Sequence, residues 1–84
     1  MINIKFLKSE NRAVIYDEDI EIGECNFLEN EGTWNIIHTI VDSKYQGQRL
    51  ARKLVECIIQ KAKEYNKELI ADCSYARKVI HGEK

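Results

Sequence analysis

The stretch Val41-Asp42-Ser43-Lys44-Tyr45-Gln46-Gly47-Gln48-Arg49-Leu50-Ala51-Arg52-Lys53-Leu54 decides the fold of this 84-residue chain. It joins an apolar run, Ile36 to Val41, to a helical pattern through a short polar turn. The first turns of that helix carry Arg49, Arg52 and Lys53, and no acid follows until Glu56. A helix N-terminus bears partial positive charge and ordinarily attracts acids, so this arrangement suits a bound anion. Backbone N–H groups, a glycine for close approach and nearby cations together fit a phosphate or pyrophosphate. The plainer reading is a solvated basic face with Asp42 or Ser43 as the helix cap.

Upstream of this stretch the apolar residues alternate in short runs, as in half-buried strands. Residues 2–8 place Ile2, Ile4 and Phe6 on one face, and Arg12 to Tyr16 form a second strand after a turn at Ser9–Asn11. Ile20 to Leu28 form a third, with Ile20, Ile22 and Glu24 on one side and Gly23 marking a bulge or a close approach. The fourth, Thr33 to Val41, has Trp34, Ile36, His38 and Ile40 on one face and Ile37, Thr39 and Val41 on the other. Apolar on both faces, it reads as a central strand covered on both sides.

Downstream, a helix is expected from about Gln46 to Tyr65. Leu50, Leu54, Ile58, Ala62 and Tyr65 recur along one stripe, which Ala51, Val55 and Ile59 widen. Asn66 is a stop signal. Glu68 to Cys73 make a fifth strand, and Ser74 caps a short last helix to about Ile80, with His81–Lys84 fraying. The order is β-β-β-β-α-β-α, an α+β fold with a mostly antiparallel mixed sheet. The helical crossover makes strands four and five parallel and right-handed. It sets the helix start at the carboxyl end of strand four, the edge that ligands favour in open α/β sheets.

Composition narrows the function. Residues 1–84 read as one domain, with no repeat, low-complexity segment or proline to mark a boundary. A chain this short buries only about 60–65% of its unfolded surface. Thirteen Lys and Arg against fourteen Asp and Glu leave a formal charge of −1, without the basic excess of a nucleic-acid binder. Cys25, Cys57 and Cys73 are odd in number and far apart, and His38 and His81 lack ligand spacing, so neither a disulfide framework nor a metal site is indicated. No apolar run is long enough for a signal peptide or a membrane span, and the expected location is cytoplasmic, with free thiols.

Three segments, Asn35-Ile36-Ile37-His38-Thr39-Ile40-Val41-Asp42, Gln46-Gly47-Gln48-Arg49-Leu50-Ala51 and Cys73-Ser74-Tyr75-Ala76, occur in the order and spacing of a very short GNAT-like family. With the preceding strands, the chain resembles that family over nearly its whole length. The GNAT superfamily holds acetyl-CoA-dependent N-acetyltransferases, whose signature Gln/Arg-x-x-Gly-x-Gly/Ala opens the helix after strand four. The resemblance implies that backbone N–H groups of Gln46, Gly47, Gln48, Arg49, Leu50 and Ala51, beside the Arg52 cation, hold the coenzyme's pyrophosphate. It implies a pantetheine arm between splayed strands four and five, paired to the backbone of Ile40 and Val41. The acetyl group would lie near His38, Thr39 and Cys73. One departure stands out: Arg49 replaces the signature's central glycine. As a helical residue it is expected to need no special φ, with its side chain either pointing away or folding over the phosphates, where it would strengthen binding by a bidentate contact or crowd the site.

For chemistry the resemblance points to Cys73 as an acyl-accepting or thiolate group. Its place before a helix start suits a nucleophile, whereas the structural alternative is a small core residue. His38 is expected to face inward, as a base, as an orienting partner of Cys73, or as a satisfied core histidine. Tyr75 resembles in position the tyrosine that protonates the departing thiolate in many GNAT enzymes, and otherwise packs on the short helix. Cys25, Cys57 and Trp34 read as packing residues. The helices that ordinary GNAT domains insert after strand one have no room here. The acceptor site should therefore be open, suiting a protruding amine such as a protein lysine, in a monomer or a weakly associating homodimer. Two other classes fit the same residues: a non-catalytic coenzyme A binding module, and a small protein-interaction domain with no coenzyme.

Overall fold

The computed structural model describes residues 1–82, so the fraying expected at Glu83 and Lys84 lies outside the described residues. Five strands and two helices follow the expected order: β1 (Ile2–Leu7), β2 (Arg12–Asp17), β3 (Ile20–Asn30), β4 (Thr33–Val41), α1 (Leu50–Glu64), β5 (Glu68–Ala71) and α2 (Ser74–Ile80). The sheet runs β1-β2-β3-β4-β5. Its first three pairings are antiparallel, and β4–β5 is parallel. Between β1 and β2 there is only a helical turn, Lys8–Glu10, closed by Asn11 in the left-handed region at φ 53°. No helix can be inserted there.

Both helices pack on one face. Ala13, Ile15, Cys25, Phe27, Trp34 and Ile36 from the sheet meet Leu50, Leu54, Val55, Ile58, Ala62, Ala76 and Val79 from the helices in a single core. Phe27 stacks on Trp34 with ring centroids 4.3 Å apart, and Phe6 and Tyr65 close on the Trp34 ring at 5.8 and 5.7 Å. The stripe on α1 is as the periodicity predicts, although Tyr65 is exposed and meets the core only through its ring. Asn66 ends the helix in the left-handed conformation, at φ 58°.

Two β-bulges correct the expected faces, because each extra residue reverses the alternation beyond it. On β3, Ile15 pairs with Gly23 while Tyr16 pairs with Glu21, so Ile22 is the extra residue. Ile22, Cys25 and Phe27 therefore enter the core, Glu24 does not, and Ile20 is left exposed. On β4, Asn26 pairs with His38 and Phe27 with Ile36, so Ile37 bulges out. Trp34 and Ile36 point inward before the bulge, and Val41 after it. His38 and Ile40 turn to the outer face and are exposed. That face has no helix over it among the described residues, so β4 is not covered on both sides: Leu28, Ile37, Ile40 and Ile70 are all exposed there.

Gly23 is the close approach anticipated from the sequence. A Cβ built on it would lie 2.8 Å from the carbonyl oxygen of Ile40 and 2.9 Å from Cγ2 of Ile15. Gly23→Ala should cost about 1–3 kcal/mol by forcing β3 away from β4, read as a lower urea midpoint at unchanged m-value; an unchanged midpoint would mean that the strands yield freely. A second prediction concerns acid. Glu29 accepts Lys67 at 2.8 Å and Lys8 at 3.3 Å, and these bonds hold its carboxyl down at about 2, against an ordinary 4.5. A depressed folded-state value gives stability that is present above the ordinary value and lost as pH falls toward 2. The thermal midpoint of Glu29→Gln should accordingly fall less steeply than that of the wild type between those two values.

Candidate functional site

The site forms where β4 and β5 part. Their pairing ends at Ile36 with Ala71, after which the N–H groups of Asp72 and Cys73 both donate to the Ile36 carbonyl, at 3.0 and 3.1 Å. β4 continues to Val41 with no partner strand on that side among the described residues. A cleft of about 560 Å³ occupies this opening, lined by Thr39, Ile40, Val41, Tyr45, Gln46, Gly47, Arg49, Leu50, Ala51 and Tyr75. Its lining joins strand residues of β4 to residues of the polar turn and the start of α1.

The turn differs from the expected helix start. Ser43–Tyr45 form one helical turn, capped by Asp42, whose carboxylate accepts the Lys44 N–H at 2.9 Å. The helix itself opens at Leu50, four residues later than expected, with Arg49 as its N-cap residue. Gly47 at φ 85° and Arg49 at φ 61° are both left-handed. Interspersed left-handed residues are the backbone pattern of anion-binding nests. Arg49 does therefore need a special φ, contrary to the expectation of an ordinary helical residue, and an L side chain there stores about 1–2 kcal/mol. Gln46 donates to the Val41 carbonyl at 3.5 Å, and Asp42 N–H donates to Ile22 O at 2.7 Å, so the turn is tied to the strand end. Tyr45 was not singled out by the sequence, but its phenol donates to Asp17 across the β2–β3 turn. That bond lowers the Asp17 carboxyl and raises the Tyr45 hydroxyl from their ordinary values. The signal that would have found it is an aromatic residue in an otherwise polar turn.

Seven of the expected anion-site residues share the cleft wall: Ile40, Val41, Gln46, Gly47, Arg49, Leu50 and Ala51. Gln48 is exposed outside the wall, and Arg52 pairs with Glu56 at 3.3 Å. Tyr75 also lines the cleft, from the first turn of α2. Cys73 is the N-cap residue of α2, so Ser74 lies one position too late to cap it. The thiol of Cys73 is half-buried behind the wall and donates to Thr39 Oγ1 at 3.7 Å. His38 is not that partner; the Ile37 bulge has turned it to the outer face. Cys25 is fully buried and Cys57 half-buried against the core, and burial pushes both thiols up, Cys25 to about 11. No cluster of three or more metal-ligating side chains occurs among the described residues.

A model of the GCN5-related N-acetyl-transferase family matches residues 12–84. The solution structure of a GCN5-like protein from Staphylococcus aureus is 30% identical, with a TM-score of 0.72, over 95% of this chain and 78% of that one. The ribosomal-protein-alanine N-acetyltransferase of Brucella melitensis biovar Abortus 2308 is 16% identical with a TM-score of 0.70, over 84% of this chain and 57% of that one. N-acetylglutamate synthase from Neisseria gonorrhoeae, complexed with coenzyme A and N-acetyl-glutamate, is 17% identical with a TM-score of 0.67, over 79% of this chain and 17% of that one. The last two likenesses concern the fold. No curated protein sequence gives a match.

The strain at Arg49 is testable. Arg49→Gly should leave the protein as stable or up to about 1 kcal/mol more stable, the relieved strain outweighing the added chain entropy. Arg49→Val, β-branched at a positive φ, should destabilise by about 1 kcal/mol or more. Urea denaturation of the pair decides it: equal midpoints would mean that the turn carries no strain.

Proposed function

Because the chain belongs to the GCN5-related N-acetyltransferase family, we propose that it binds acetyl-CoA in the β4–β5 cleft and transfers the acetyl group to an amine. The observation that carries this reading is the run of β4 from Ile37 to Val41 that β3 pairs and β5 does not, beside a turn with two left-handed residues. A pantetheine arm is a chain of two amides, and the edge of β4 beside Ile40 and Val41, which β5 does not cover, suits it as an added strand would. The turn from Gln46 to Ala51 supplies N–H groups for the pyrophosphate, with Arg49 as the nearest cation in the wall. Coenzyme A in the Neisseria relative supports the choice of ligand.

In this reading Tyr75 and Thr39 line the cleft, and Cys73 stands behind its wall, hydrogen-bonded to Thr39. Transfer needs a neutral amine, a polarised carbonyl and a proton for the departing thiolate. The Cys73 thiol takes the acyl-accepting or thiolate role, and the Tyr75 hydroxyl supplies the proton. His38, on the outer face, serves an acceptor that arrives from that side. The bare outer face leaves the acceptor unenclosed, which favours a protruding amine such as a protein lysine. The same openness gives a second reading its footing: a coenzyme A binding module that turns nothing over.

Calorimetric titration with acetyl-CoA and coenzyme A at two salt concentrations tests the site. Saturable binding that weakens with salt is expected. Arg49→Gly, which keeps the turn but removes the cation, should bind about tenfold more weakly, the usual worth of one charge-assisted contact. No binding up to millimolar ligand would sink the coenzyme reading and leave an interaction domain. Binding without acetylation of any lysine peptide or small amine would select the non-catalytic module, whereas turnover abolished in Cys73→Ala would establish the role of the thiol.

A further inference from the structure

Thr39, on β4, carries a hydroxyl that stands between β3 and the N-cap residue of α2. Its Cα partner on β3 is Cys25, and its Oγ1 donates to the Cys25 sulfur at 3.4 Å. On the other side it accepts from Cys73 at 3.7 Å. The three side chains thus form one line, Cys73 Sγ–H to Thr39 Oγ1–H to Cys25 Sγ. The line runs from the cleft wall, which Thr39 helps to form, into the core, where Cys25 has no exposed surface. Cys73 is itself fixed at the fork, since its N–H donates to Ile36 O at 3.1 Å. Neither packing nor strand propensity demands this line. Valine has the same shape and would suit the strand at position 39.

A hydroxyl donates one hydrogen bond and accepts others, so the line can run in two directions. With Cys73 protonated, it runs as observed. When Cys73 loses its proton to solvent, the Thr39 O–H can turn to donate to the Cys73 sulfur. The Cys25 S–H then turns to donate to Thr39 Oγ1. Both hydrogen bonds survive, no proton leaves Cys25, and the thiolate gains a donor. A buried thiol that stays protonated near neutral pH is what the far end of such a line requires.

We propose that Thr39 is a positioning residue for Cys73, a rotating hydroxyl backed by Cys25 that holds the Cys73 thiolate. The inference rests on the reading of Cys73 as the reactive thiol, but its test does not depend on acetyl transfer. The probe is iodoacetamide at neutral pH, with adducts at residue 73 counted by mass spectrometry in a Cys57→Ala background. Thr39→Val should slow alkylation of Cys73 about fivefold, the worth of one hydrogen bond, and diminish the ultraviolet absorbance of its thiolate. Thr39→Ser should restore both. Cys25→Ala should slow the reaction to a lesser degree, and adding it to Thr39→Val should produce no further loss. A wild-type rate in Thr39→Val, or failure of Thr39→Ser to restore it while thermal midpoints agree, would overturn the proposal. Failure of acetyl-CoA to bind the wild-type protein would instead remove the acetyltransferase reading and leave the alkylation result to decide the role of Thr39.

Discussion

The Ile36 carbonyl takes two N–H groups, those of Asp72 and Cys73, and the rest of the site depends on that fork. A strand carbonyl has two lone pairs and usually spends one on the neighbouring strand. Spending both here ends β5 and swings the chain off the sheet into α2. Because β5 is only four residues long, β4 outlasts it and keeps open backbone on that side. The cleft is therefore a consequence of strand length and one shared acceptor. The thiol at the same turn is placed by the same two bonds, with Asn35 reinforcing them: its side chain accepts from Asp72 N–H and donates to the Asp72 carboxylate, each at 2.9 Å.

Most of the architecture was legible because it rests on periodicity and on connection length. β4 has the expected bounds, α2 spans the expected residues, and the parallel pair follows from the helical crossover. Bulges defeat this kind of reading. At Ile37 one residue leaves the alternation, and everything beyond it changes face, which moved His38 from the core to the surface. No composition signal marks that position, since isoleucine suits either face of a strand. At Gly23 the signal existed, and it correctly pointed to a close approach.

Arg49 shows a different limit. A helical stripe says where a helix packs but not where its first turn begins, and the turn before Leu50 takes four residues from the expected helix. Within that turn position 49, where the resemblance implies a glycine, is left-handed in this chain, a conformation that glycine adopts without strain. An arginine there accepts strain and in return brings a guanidinium to the cleft wall. Glycine at this position would relieve that strain and remove the cation together.

The outer face of the sheet shows what a chain of this size does without inserted helices. Over β2 and β3 it is roofed by charge: Arg12 reaches Glu10, Glu21 and Glu24 at 2.8, 3.1 and 2.9 Å, and Val14, in register with Glu24, is fully buried without touching the helix-side core. Toward β4 and β5 the roof stops, and Ile37, Ile40 and Ile70 face solvent. An extended charged side chain can cover apolar surface with its stem, so the bare end is a difference of sequence rather than an unavoidable cost of small size. It lies where Ile40 belongs both to the outer face and to the cleft wall. The exposed face and the cleft thus meet at Ile40, and a larger side chain there would alter both.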